Sequence, residues 1–465
     1  MMGNRSNHHA AVDLAVWRQT IRVRQVFTSP ALRRPGYGLP DHLMHRLLAI
    51  LLLLLSVTPQ PAMAQVAVAD SGDTAWMMLC GLLVLLAALP GLALRHAGLV
   101  HVRSALSIGV QGVAVAAGVS LLWGLVGYSL AYAPGSGWLG GRAHLLLADL
   151  GALRDGLTVP ESAFVLFQMA LAMLAAGLLP GAVAERVRLG WMAAFALLWL
   201  LLVYAPVVHW VWGGGWLATM GVMDFAGALV VHLSAGFSAL ALVLVVGRRR
   251  AASAGHAPVL GIAGGLLLWI GWAGILGGWS FGATDNAATA ILNGHFAACA
   301  GLFGWMLVER IDKGHVTANG LVSGALAGLV AISASGALVG PGGAMAIGLV
   351  AAMACRLAKG LLGDRIDDAA DIFVIHGLGG LTGALMLLPF VLPALGGVGF
   401  AAGISLAGAF IAQCIGIAAV AIWAMAGTAI IALMLSVVTP ARIGAREEAE
   451  GLDLARHGQQ GWDFR

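Results

Sequence analysis

Apolar runs of about 20 residues, broken by short polar links, recur along most of the chain, at 74–94, 104–132, 161–184, 190–210, 224–247, 258–280, 287–308, 317–335, 342–357, 370–392 and 401–436. Each run is long enough to satisfy its own backbone as a helix while crossing lipid. The pattern predicts an all-α polytopic membrane protein with eleven transmembrane helices. Spans one to five and six to ten form blocks of equal count, and an odd count turns the second block over relative to the first. The expected architecture is therefore an inverted 5+5 repeat plus a long eleventh helix, with a shared site near the midplane. Charge gives the orientation. Links assigned to the inside hold Arg95, Arg103, Arg186, Arg188, Arg248, Arg249, Arg250, Arg310, Lys313, Arg356, Lys359 and Arg365, whereas the outer links hold only Arg142 and Arg154. The longest link, 133–160, lies outside and carries an amphipathic-looking piece around His144 to Leu153.

The first 64 residues stand apart from this pattern. Residues 1–43 are polar and basic and are expected to be an N-terminal extension upstream of a true start at Met44. His45-Arg46, the apolar run Leu47 to Leu55 and Ala62-Met63-Ala64 then read as a signal peptide over 44–64, cleaved after Ala64. The membrane domain is expected to occupy 65–436 with its N-terminus outside. The charged tail 437–465 reads as a solvated cytoplasmic segment.

Composition agrees with immersion in a bilayer. Of 465 residues, 60% are hydrophobic and 10% charged, too few charges to cover a soluble surface of this size. The 66 glycines permit close approach between helices. The formal charge of +4 is spread over loops and forms no nucleic-acid-binding patch. Cys80, Cys299, Cys355 and Cys414 lie in or beside apolar runs without CxxC pairing, so neither disulfides nor a structural metal is expected. No cofactor or enzymatic activity is expected either.

One chemical pattern occurs twice. Asp224 precedes His232 by eight residues in DFAGALVVHLSAG, and Asp368 precedes His376 by eight in DAADIFVIHGLGG. A titratable side chain at membrane depth is costly and marks a candidate functional site. Two imidazoles can relay a proton or order a small polar molecule while staying uncharged. Asp224 and Asp368 are placed to cap the starts of their helices. Trp212, in HWVWGGGW, can anchor at the interface or offer a ring face to a cation, and Trp210 and Trp216 compete with it.

Several motifs resemble the ammonium transporter/Rhesus (Amt/Rh) family, of the bacterial ammonium transporter type: ADSGDTAWMML, LPGLAL, GAVAERVRLG, VVHWVWGGG, DFAGALVVHLSAGFSAL, DIFVIHGLGGLTG and EGLDLARHG, together covering nearly all of 71–465. The resemblance implies a homotrimer of eleven-span subunits, each with a narrow apolar pore. It implies that His232 and His376 are paired pore histidines, that Trp212 lines an external recruitment site and that Asp224 supports it. Two departures stand out. Where the family stacks two Phe as a gate, the matching positions hold Leu171 and Ile275. Where many members place a recruitment-site Ser, this chain has Trp279, beside Ser280.

The expected function is ammonium/ammonia transport across a bacterial inner membrane, the ion being recruited outside, deprotonated and conducted as ammonia past the histidine pair, with methylammonium as an analogue. A receptor of the same fold, binding ammonium with little transport and reporting through its tail or a partner, is the alternative. A P-II-type regulatory protein at the cytoplasmic face is the partner the resemblance implies, with Arg248–Arg250 and the tail as candidate surfaces. A b-type haem held by two histidines and a carbon dioxide channel are weaker alternatives.

Overall fold

The computed structural model describes residues 69–250 and 255–462, so the extension 1–43 and the expected signal peptide at 44–64 lie outside the described residues. The described chain is helical: α1 (Ser71–Leu99), α2 (Val102–Tyr132), α3 (Glu161–Ala182), α4 (Leu189–Met220), α5 (Ala228–Val246), α6 (Pro258–Gly278), α7 (Asp285–Lys313), α8 (Ala318–Ile332), α9 (Pro341–Leu362), α10 (Phe373–Phe390) and α11 (Leu406–Val438). Among the described residues, ten of these are long and apolar enough to cross a membrane, and α8 is an apolar helix of 15 residues. The protein is thus a multi-pass membrane protein. Burial sorts the helices by position. In α3, 83% of the hydrophobic stretch is buried inside the chain, against 33% in α9, so α3 is central and α9 turns much of its surface outward.

The sequence predicts a run to residue 335 for α8, but the helix stops at Ile332 and a non-helical segment follows inside the protein. With no water at that depth, its backbone groups need protein partners. Asn293 of α7 donates to the carbonyls of Gly336 and Val339, both at 2.8 Å. Phe225 and Ala226 donate to the carbonyls of Ala334 and Ser333 at 3.0 and 2.6 Å. The segments preceding α5 and following α8 are thereby tied together. The piece around His144 to Leu153 forms no amphipathic helix. Only a short turn, Leu145–Leu147, is present, and Leu146, Leu147 and Asp149 adopt left-handed φ values of 55°, 57° and 65° that a right-handed helix cannot continue.

The basic links converge on one end of the bundle. Arg186 is fully buried and donates to the carbonyls of Ala182, Ala184 and Asp367. Arg249 bridges Glu185 and Asp367, joining the links after α3, α5 and α9. Burial opposes ionisation of Asp367, yet hydrogen bonds from Arg249 outweigh it and hold the carboxyl below the usual range. Glu185 itself sits at φ 70°. Its two oxygens are engaged by the His101 amide and by Arg249, which over-determines this unfavourable conformation.

The tail departs from the solvated segment that its composition predicts. Residues 441–443 run beside 186–188, with Arg188 N donating to Ala441 O and Ile443 N to Arg186 O. Two short helices follow, α12 (Ala445–Glu450) and α13 (Leu452–His457). Asp453 is only 1% exposed and accepts hydrogen bonds from the Leu106 and Ser107 amides at 3.0 and 2.8 Å. It caps the first turn of the α-helical part of α2 from a distant part of the chain, so the tail is docked. Composition misses this because one carboxylate matched to two free amides outweighs the polarity of its neighbours. Asp453→Ala is expected to lose about 1–3 kcal/mol of docking and to speed protease cleavage after residue 440 in the otherwise folded protein, measured by limited proteolysis in detergent.

Candidate functional site

The site begins with two helix starts built alike. Before α5 the chain turns at Gly227, at φ 100°, a conformation suited to glycine. The Asp224 carboxylate reaches over this turn and accepts from the amides of Gly227, Leu229 and Val230 at 3.1, 2.9 and 2.9 Å. The first six residues, Ala228–Leu233, form a π-helical turn that carries His232. At α10, Asp368 accepts from the Phe373 amide at 2.7 Å, and Phe373–Leu378 form a second π-helical turn carrying His376. Burial, and then Asp371, push the Asp368 carboxyl up to about 7. Single π-helical turns commonly mark functional sites. Here each sets the direction of one imidazole.

Small residues after each histidine let the two helices touch. A Cβ on Gly236 would lie 2.1 Å from the Gly377 amide nitrogen, and one on Gly380 would lie 2.5 Å from the Ala228 carbonyl oxygen. α5 and α10 therefore meet backbone to backbone. His232 Nδ1 and His376 Nδ1 stand 3.2 Å apart, with ring centroids 5.2 Å apart and planes at 36°. Two nitrogens at that distance share one proton, one ring donating and the other accepting. His232 is fully buried and His376 is 6% exposed. The Nε2 of His232 has no hydrogen-bond partner in the protein. Trp272 of α6 stacks on His232 at 4.9 Å and 22°, and its indole donates to Ser333 Oγ at 3.0 Å. The sequence carries no signal that separates this wall from a tryptophan packed in a core.

At the opposite end from the basic links, Trp212 closes α4's main segment, and its indole donates to the Asp224 backbone carbonyl at 2.9 Å. The Asp224 side chain is turned to the start of α5, so the two residues are linked through main chain. Trp279 lies against Trp212, with ring centroids 4.0 Å apart and planes at 45°. At that distance the two indole rings are in contact and leave no room for an ion between them. Trp279 Nε1 and Ser280 Oγ are buried without hydrogen-bond partners. Trp210 and Trp216 belong elsewhere, packed with Trp138.

Leu171 and Ile275 are both fully buried. Leu171 lies one turn along α3 from Phe167, and Ile275 one turn before Trp279. Phe167 meets Trp279 edge to face at 6.0 Å. This ring, which sequence reading passed over, supplies aromatic surface one turn away from the aliphatic pair.

This geometry can now be set beside known proteins. The sequence pattern of the Ammonium Transporter Family matches residues 75–462. The chain belongs to that family. It is 39% identical over 401 residues to an ammonium transporter of Bacillus subtilis (strain 168), covering 84% of this chain and 98% of that protein. It is 35% identical over 397 residues to "Ammonium transporter Amt1" of Archaeoglobus fulgidus, covering 83% and 98%. Among solved structures, a "Sensor Amt Protein" superposes with a TM-score of 0.78 at 29% identity, covering 83% of this chain and 98% of the other. Mep2 of Candida albicans gives 0.76 at 33% identity, covering 82% and 88%.

The Asp224 cap gives a direct test of how this family member holds its first imidazole. Asp224→Ala leaves three amides without their acceptor and is expected to cost about 1–2 kcal/mol, read as a lower unfolding temperature in detergent. Asp224→Asn, which keeps an acceptor oxygen, is expected to fall between the two.

Proposed function

We propose that this family member moves ammonium across the membrane as ammonia, and that His232 and His376 are the polar step in an otherwise apolar conduit. The 3.2 Å contact between their Nδ1 atoms, deep in a dry interior, is the observation that carries this reading. A bare ammonium ion would lose its water there at a cost of several kcal/mol, whereas neutral ammonia loses far less. The ion is gathered at the Trp212 end, where an indole face attracts a cation and Asp224 keeps the loop in place. It gives up its proton, and ammonia passes Leu171 and Ile275 to the imidazoles. His232 Nε2, unpaired in the protein, can donate to or accept from the passing molecule according to its tautomer. The shared proton between the rings also offers a relay by which the released proton can follow.

In this reading all eleven helices, α8 included, cross the bilayer, and the basic end faces the cytoplasm in accordance with the positive-inside rule. The protein sits in a bacterial inner membrane with residues 65–436 as its transport domain, the signal peptide 44–64 removed and the extension 1–43 absent from the mature chain. Subunits associate as a homotrimer. The docked tail and Arg250, paired with Glu448, form the face on which a P-II-type regulator would bind.

The Trp212–Trp279 contact favours a second reading, a sensor. Loading requires the Trp279 ring to rotate away, and a chain that binds ammonium by that rotation without passing it on would report rather than transport. Methylammonium uptake into vesicles holding wild type, His232→Ala and Trp279→Ser separates these. Transport predicts uptake by wild type, a fall of about tenfold or more in His232→Ala (the scale of one 1.4 kcal/mol interaction) and faster uptake in Trp279→Ser. Binding by wild type without uptake favours the sensor. Equal uptake by wild type and His232→Ala overturns the assigned path.

A further inference from the structure

Below the histidine pair, toward the basic end, lies a cavity of ≈ 640 Å³. Phe373 and Val374 line it, one turn before His376 on α10, and Arg95 of α1 lines it as well. His376 is the partly exposed member of the pair, and Arg95 and the adjacent His96 are within electrostatic reach of it. In the conduction path proposed above, a molecule leaving His376 inward enters this cavity beside Arg95.

Of the other cations lining the cavity, Arg249, Lys313, Arg356 and Lys359 are ion-paired with Asp367, Glu309, Asp312 and Asp371, and Arg248 is exposed to solvent. Arg95 is 4% exposed and has no carboxylate at ion-pair distance among the described residues. Its guanidinium donates to three neutral acceptors, Gly261 O at 3.3 Å, Asn319 Oδ1 at 3.2 Å and Ser323 Oγ at 2.8 Å. Asp371, the acid that acts on Arg95 through space, is engaged by Lys359. A buried guanidinium is always charged and is normally matched by an anion. This one is held by neutral groups of α6 and α8 in the wall of a cavity that Glu309, Asp312, Asp367, Asp368 and Asp371 also line.

We propose that Arg95 is the cation barrier at the inner end of the path, a specificity-determining residue that lets neutral ammonia leave His376 and turns back ammonium and potassium. The physics is monopole repulsion. A fixed positive charge acts strongly on a passing ion in a partly dry passage and has no net charge to act on in ammonia. The inference rests on the transport reading for its direction, but Arg95's charge can be tested separately from it.

Two substitutions remove the charge by different routes. Arg95→Gln keeps a hydrogen-bonding side chain without the cation. Asn319→Asp keeps Arg95 and places a carboxylate against it. Arg95→Lys preserves the charge. Each protein is reconstituted into vesicles, and ammonium- and potassium-driven currents are recorded on supported membranes beside internal pH changes. Both neutralising variants are expected to raise the cation current about tenfold or more over wild type, with Arg95→Lys staying near wild type. Equal currents across the set overturn the barrier, and so does a rise in Arg95→Lys matching that in Arg95→Gln, since that marks a packing leak. Absence of any ammonia-dependent pH change in wild type refutes the transport reading instead. The barrier is judged on the current ratio alone, which an otherwise inactive wild type still provides.

Discussion

A backbone shut away from water must find every hydrogen bond within the protein, and the interior described above is arranged around that demand. Uninterrupted helices meet it without help. The breaks do not, and the breaks are where the chemistry gathers. Asp224 closes the start of α5, Asp368 closes that of α10, and Asn293 serves the carbonyls beyond α8. Each polar side chain is held by main chain, and each in turn fixes a segment beside an imidazole or an indole. The two π-helical turns then set where the rings point. Polarity in this membrane domain is structural first, and that structure leaves a few unpaired atoms, such as His232 Nε2.

Much of this was legible in the sequence, for reasons that differ by residue. Hydrophobic length marks the helices because lipid thickness fixes a minimum run, and only the short α8 falls below the usual span. The Asp-His spacing marks the paired starts because a cap and a ring must lie a fixed number of turns apart in both halves. Trp272 was not legible, since nothing in LLLWIGWAG distinguishes a tryptophan stacked on His232 from one packed in a core. The contact between Trp212 and Trp279 joins segments 67 residues apart in the chain, and spacing alone does not report such a meeting. The tail was misread for a related reason, because the environment of Asp453 is set by α2, which lies far earlier in the sequence.

Charge is distributed with equal purpose at the basic end. Arg186 and Arg249 are spent on holding links together, their terminal nitrogens engaged by carbonyls or carboxylates. Counting basic residues groups them at one end of the bundle, but it cannot separate these from Arg95. That distinction needs the partners. A guanidinium among carbonyl, amide and hydroxyl groups keeps its field, while one among carboxylates largely cancels it.

The contact between Gly236 and Gly377 carries a mechanical consequence. Helices that slide or rock past one another need a compliant layer of side chains between them, and where Gly236 meets Gly377, α5 and α10 have none. Separating them would first break the fit of two bare backbones. In the conduction path proposed here, motion at this crossing falls to rotating rings and displaced solvent, an aperture with moving shutters in preference to a pump with moving walls.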